Sequence, residues 1–145
     1  VYDAHVLDLF AGTGALALEA LSRGAESAVL IDRATYATLA ENARRTKLEA
    51  RAEIRRGDVY GQVAALTRDG RTFNLIFADP PYACGDNVRV LAAVDAGALL
   101  AAGGFFVLEQ GADEPLITHS GRLSLMRERC YGAARICFYT QEVQK

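Results

Sequence analysis

Apolar runs of strand length alternate with helix-patterned segments along this chain, and the connections between them are short. Residues 5–10, 27–32, 51–56, 73–78 and 105–109 read as strands. Residues 14–23, closed by Gly24, together with 34–47 and 59–66, carry helical spacing, and a further helical region lies within 87–100. In the second of these, Tyr36, Leu39, Ala40 and Ala43 recur on one face. Strands joined by crossovers of this length pair in parallel, and the preference for right-handed crossovers restricts their order. Residues 122–128 and 134–141 flank Cys130-Tyr131-Gly132 and read instead as an antiparallel pair. The expected fold is α/β, a doubly wound, mostly parallel seven-stranded sheet with helices on both faces and a C-terminal antiparallel hairpin.

With 145 residues, 51% of them hydrophobic, and no linker, repeat or low-complexity tract, residues 1–145 fit a single domain. No apolar stretch is long enough to span a bilayer and no secretory signal is visible. Cys84, Cys130 and Cys137 are odd in number and lack CxxC spacing, which suits reduced thiols in a cytoplasmic protein. No metal-ligand pattern surrounds His5 or His119. A formal net charge of −2 does not advertise a nucleic-acid binder. Basic clusters partly offset it, at Arg44, Arg45, Lys47, Arg51, Arg55 and Arg56 and again at Arg122, Arg127 and Arg129; the first reads more simply as cations complementing a helix end. Nothing signals an oligomer, so a monomer is expected. The chain starts at Val1, almost directly on a strand, and is expected to be a trimmed or partial form.

Ligands in doubly wound sheets bind beyond the carboxyl ends of the strands, here just after Phe10, Ile31, Arg56 and Phe77. The first junction reads Asp8-Leu9-Phe10-Ala11-Gly12-Thr13-Gly14, and Gly12 and Gly14 allow a sharp turn and close approach of backbone to a ligand. Phe10 beside the turn suits a wall of the cofactor pocket or the core. Asp32, at the end of the second strand, is placed to accept hydrogen bonds from ribose hydroxyls. These features fit NAD or S-adenosylmethionine, and Ala17 even completes a GxGxxA pattern. Asp8 tilts the choice, because a carboxylate there favours a cationic ligand and repels a pyrophosphate. Asp58 offers an acceptor for an adenine amino group, or equally a helix N-cap.

After the fourth strand comes Asp79-Pro80-Pro81-Tyr82. Proline lacks an N–H, so this turn offers a carboxylate and carbonyls but few donors. Such a site suits a planar amino group that needs acceptors for both hydrogens and an aromatic face to lie against. Tyr82 would stack on the base and Asp79 would also border the cofactor, while Glu109 borders the pocket without an assigned role.

Together these residues resemble the class I S-adenosylmethionine-dependent methyltransferases, with a Rossmann-like sheet. The Asp8–Gly14 segment resembles the first motif, Asp32 the ribose-binding acid, Asp58 the adenine-side acid, and Asp79–Tyr82 the amino-methylating motif. Within that class, Val6–Leu16, Glu19–Ala25, Asp79–Tyr82 and the Arg129–Gly132 and Phe138-Tyr139 segments are similar to the bacterial 16S rRNA guanine-966 N2-methyltransferases. The resemblance implies S-adenosylmethionine as cofactor and 16S rRNA, or a small-subunit assembly particle, as partner. It also implies a further N-terminal segment that the sequence at Val1 does not include. In such an enzyme Asp79 and the Pro80 carbonyl would accept the two N–H bonds of guanine N2 and aim its lone pair at the methyl group. The tetrapeptide leaves adenine N6 of DNA or RNA and a protein glutamine open as targets. An NAD-dependent oxidoreductase and a non-catalytic RNA-binding module are the remaining alternatives.

Overall fold

The computed structural model describes residues 2–80 and 86–141, so Pro81, Tyr82 and Cys84 lie outside the described residues. In chain order the elements are β1 (His5–Leu9), α1 (Ala15–Ser22), β2 (Ser27–Asp32), α2 (Tyr36–Arg45), a single 3₁₀ turn (Glu49–Arg51), β3 (Ala52–Arg56), α3 (Val59–Arg68) and β4 (Phe73–Ala78). They continue with α4 (Asp86–Ala96), β5 (Leu100–Gly111), β6 (His119–Ser120), β7 (Leu123–Tyr131) and β8 (Ala134–Gln141). One sheet holds all the strands in the order β3-β2-β1-β4-β5-β8-β7-β6. Neighbours from β3 to β5 are parallel, and the remaining pairs are antiparallel.

Among the described residues the sheet therefore has eight strands rather than seven. The extra one, β6, pairs His119 and Ser120 with Ser124 and Leu123 at the edge. Two residues are too few to show a period in the sequence. β5 also starts five residues earlier than the sequence suggests. Gly103 and Gly104 sit inside it, where the pairing with β4 shifts register between Phe73 and Leu75. A Cβ at Gly104 would stand 2.6 Å from the Asn74 carbonyl oxygen, so only glycine fits this bulge without displacing β4.

Alternation along the strands sends side chains to two cores. Val6, Ala28 and Leu30 meet Ala17, Leu18 and Leu21 of α1 and Leu39 and Ala43 of α2 on one face. On the other, Leu7, Leu9, Val29, Ile31 and Ile76 meet Val59, Val63 and Leu66 of α3 and Val90, Leu91 and Val94 of α4. Each such aliphatic side chain contributes about 1.5–3 kcal/mol by leaving water. The first basic cluster serves the scaffold. Arg51 donates to the carbonyls of Ala25 (2.6 Å) and Leu21 (3.1 Å), closing the open end of α1, while Arg44 pairs with Glu41 and Arg55 with Glu53.

Register fixes what stands along the carboxyl edge. Leu9 pairs with Ile31 and with Ala78, and Ala78 pairs with Leu108. The next residue on each strand is thus Asp32, Phe10, Asp79 and Glu109, four neighbours in one row. Between β1 and β4 the chain switches direction across the sheet, the place where such folds open a crevice.

Candidate active site

The turn after β1 is built from left-handed backbone. Phe10 (φ 63°), Gly12 (φ 59°) and Gly14 (φ 81°) all occupy that region. For Phe10 this costs about 1–2 kcal/mol, offset by packing of the ring against the core. The two glycines serve different ends. A Cβ at Gly14 would lie 2.8 Å from Leu39 Cδ2 and 3.0 Å from Leu30 Cδ2, so Gly14 lets α1 pack closely. A Cβ at Gly12 would meet nothing within 4 Å, so Gly12 faces open space in which a ligand can approach the backbone.

Asp32 holds this turn. Its Oδ2 accepts from the Gly12 N–H (3.0 Å) and its Oδ1 from the Ala34 N–H (2.9 Å). Partial burial alone would raise its pKa, but the N–H groups of Ala34 and Gly12 outweigh it and hold the carboxyl below the usual value. The same bonds keep the chain in a turn after β2, which is why α2 begins at Tyr36 and not at Ala34.

Asp8 lies beneath the turn instead of in the open crevice. It is 4% exposed and bonds the backbone of Ala17 in the first turn of α1. Burial above all, with smaller contributions from the charges of Asp79 and Asp32, pushes its carboxyl up to about 7 against the pull of that bond. The sequence expectation of an open carboxylate at the turn is therefore not met, because Asp8 is buried.

Next to the turn is a cavity of about 300 Å³ lined by Phe10, Asp32, Arg33, Asp58, Tyr60 and Arg89, among others. Asp58 is the N-cap of α3 as well, its Oδ2 accepting from the Gly61 N–H at 3.0 Å. Its Oδ1 stands 4.0 Å from Arg33 Nη2 in an exposed pair of little energetic weight. Arg89 lies over the Tyr60 ring, 3.6 Å from its centre, and closes one side of the cavity. Arg33, Tyr60 and Arg89 were not singled out in the sequence, although Tyr60 follows Asp58 by only two residues. Arg89 arrives from α4, and no local pattern links it to the turn.

At the end of β4, Asp79 is exposed and Pro80 buried. Partial desolvation, then the charge of Glu109 and a hydrogen bond that the protonated Asp79 donates to it, push the Asp79 carboxyl up to about 6. Behind Glu109 the chain is tightly fastened. Buried Asn87 of α4 donates to Gln110 Oε1 (3.1 Å), and Gln110 donates to the carbonyls of Pro115 (3.3 Å) and Glu114 (3.4 Å). Arg135 holds the Ala112 carbonyl (2.9 Å), and the Tyr139 hydroxyl holds that of Ile117 (2.7 Å). The carboxyl pair thus rests on a rigid base.

Residues 1–140 match the family described as Conserved hypothetical protein 95. The chain belongs to this family. Among its relatives, "Ribosomal RNA small subunit methyltransferase D" of Escherichia coli strain K12 is 33% identical, over 99% of this chain and 72% of that one. YlbH of Bacillus subtilis, a provisionally named rRNA methyltransferase, is 34% identical over 92% of this chain and 73% of its own. A solved Streptococcus pyogenes protein, described as a conserved hypothetical protein, superposes with a TM-score of 0.87 at 35% identity, covering 96% of this chain and 86% of that one. The family member described here is a class I methyltransferase, of the S-adenosylmethionine-dependent kind that its motifs resemble. Its mixed sheet with an antiparallel C-terminal end is the fold of that class.

Proposed function

We propose that this protein methylates the exocyclic N2 amino group of a guanine in 16S small-subunit rRNA, at guanine 966, on naked rRNA or on an assembly particle in the cytoplasm. The supporting observation is the position of Asp79, exposed at the end of β4 beside Phe10 of the glycine turn in strand register and followed by Pro80, which has a carbonyl but no N–H. The names of both relatives point to rRNA as the substrate class, and that of the Escherichia coli protein to the small subunit.

The residues present fit the cofactor. Gly12 leaves room for it, Asp32 is a preset acceptor for ribose hydroxyls, and Phe10, Tyr60 and Asp58 line a cavity suited to an adenosine. When bound, S-adenosylmethionine supplies a methyl carbon activated by a positively charged sulfur. Asp79 and the Pro80 carbonyl take the two N–H bonds of the amine and turn its lone pair toward that carbon. The ionised carboxyl is the competent form, and the nitrogen releases its proton after it has been methylated. Tyr82 remains the proposed stacking partner for the base. Among the described residues no helix is long and apolar enough to cross a membrane, and a monomer is proposed.

The test is transfer of labelled methyl to naked 16S rRNA, small subunits, DNA and protein, followed by nucleoside mass spectrometry. N2-methylguanosine at one small-subunit position is expected. Label confined to N6-methyladenosine or to glutamine would contradict the reading.

A further inference from the structure

Guanine offers more than its amine to the row at the end of β4 and β5. Beside the two N2 hydrogens it presents a third donor, N1–H, whereas adenine presents an acceptor at the corresponding ring nitrogen. Asp79 and the Pro80 carbonyl account for the two amine hydrogens and leave N1–H unmatched. A desolvated donor left without a partner weakens binding, so a site for guanine needs a further acceptor alongside.

One stands there. Glu109 follows Leu108, the register partner of Ala78, so it occupies the strand position next to Asp79. The two side chains therefore stand side by side at the strand ends, and the charge of Glu109 acts on the Asp79 carboxyl. Glu109 is partly exposed at the crevice, and its backbone pairs with Ile136 of β8. The Asn87–Gln110 bond and the bonds that fasten residues 111–117 limit its freedom to move away.

On the reading that the amine is guanine N2, we propose that Glu109 determines base specificity by accepting the N1–H of the target guanine beside Asp79. In the free protein a protonated Asp79 donates to Glu109 beside it. A base with donors at both positions takes the place of that proton, which leaves to solvent, and Asp79 then accepts from the N2 amine while Glu109 accepts from N1–H. A base with an acceptor at N1 would face a carboxylate and be repelled. The raised carboxyl of Asp79 is the expected companion of such a pair in the absence of substrate.

The test uses two otherwise identical small-subunit rRNA substrates, one with guanine and one with 2-aminopurine at the methylated position. 2-Aminopurine keeps the N2 amine but has an acceptor at N1. The wild-type protein should methylate the guanine substrate roughly 10-fold faster or more. In Glu109→Gln the carboxamide can accept from guanine or donate to 2-aminopurine, so the two rates should converge. Calorimetry of S-adenosylmethionine binding should give the same affinity for both proteins, confirming that the variant is folded. Equal rates for the wild-type protein, or undiminished preference in a Glu109→Gln variant that binds cofactor, would overturn the role of Glu109 while leaving guanine methylation in place. Failure of the wild-type protein to methylate guanine N2 at all would overturn both.

Discussion

Asp32 and Asp79 stand two strands apart on the same sheet edge, roughly 10 Å from each other by strand spacing, and their surroundings drive them in opposite directions. Asp32 receives two backbone N–H groups and is held below the usual carboxyl range. Asp79 faces another acid and is pushed up to about 6. Burial opposes ionisation at both sites, so it is the partner that decides. An acid fixed by backbone donors is a permanent anion, suited to hold a ligand that is always present during turnover. An acid paired with an acid is poised between two protonation states, and an arriving donor can choose between them.

The sharpest way to break this comparison is to remove Asp79. Asp79→Ala is expected to reduce methyl transfer by about 100-fold or more while leaving S-adenosylmethionine affinity nearly unchanged, measured by single-turnover transfer and calorimetry. Asp32→Ala should do the reverse, weakening cofactor affinity by about 10- to 100-fold, as expected for a lost charge-assisted hydrogen bond. If both substitutions impaired binding alike, the division of labour between the two acids would be lost.

A smaller effect should appear in stability against pH. Asp8 and Asp79 have folded values of about 7 and about 6, both above the ordinary 3.8. Between those limits the folded protein keeps protons that the unfolded chain has released, so their contribution to stability is full at low pH and lost as pH rises. Asp32 works the other way, and its contribution disappears as pH falls below the ordinary value. Calorimetric melting of the ligand-free protein should show the downward slope toward pH 7, and Asp8→Asn should flatten it. The smallest change expected is from Asp58→Ala. Loss of the cap on α3 should cost about 1 kcal/mol in denaturant unfolding.

The sequence carried most of the scaffold and the left half of this comparison. Apolar runs with short crossovers specify parallel order, and Gly12, Gly14 and Asp32 sit at junctions where local chemistry leaves few alternatives. It carried less of the right half. Glu109 is thirty residues from Asp79, and only the register shift at Gly103-Gly104 brings β5 into place to set them side by side. Asp8 looks from the sequence like an open carboxylate, because nothing local reveals that the first turn of α1 covers it. Gly14 shows the same limit, since its packing against Leu30 and Leu39 depends on β2 and α2. The role of Arg51 is hidden for a similar reason, its carbonyl partners lying 26 and 30 residues away.

Carbon-13 NMR titration of aspartate carboxyls in the ligand-free protein tests the contrast most directly, with Asp79→Asn and Asp32→Asn identifying the two resonances. One resonance should titrate near 6 and vanish in Asp79→Asn; another should titrate below the ordinary aspartate value and vanish in Asp32→Asn. An Asp79 carboxyl that titrates like an ordinary surface aspartate would contradict the carboxyl pair and the role built on it.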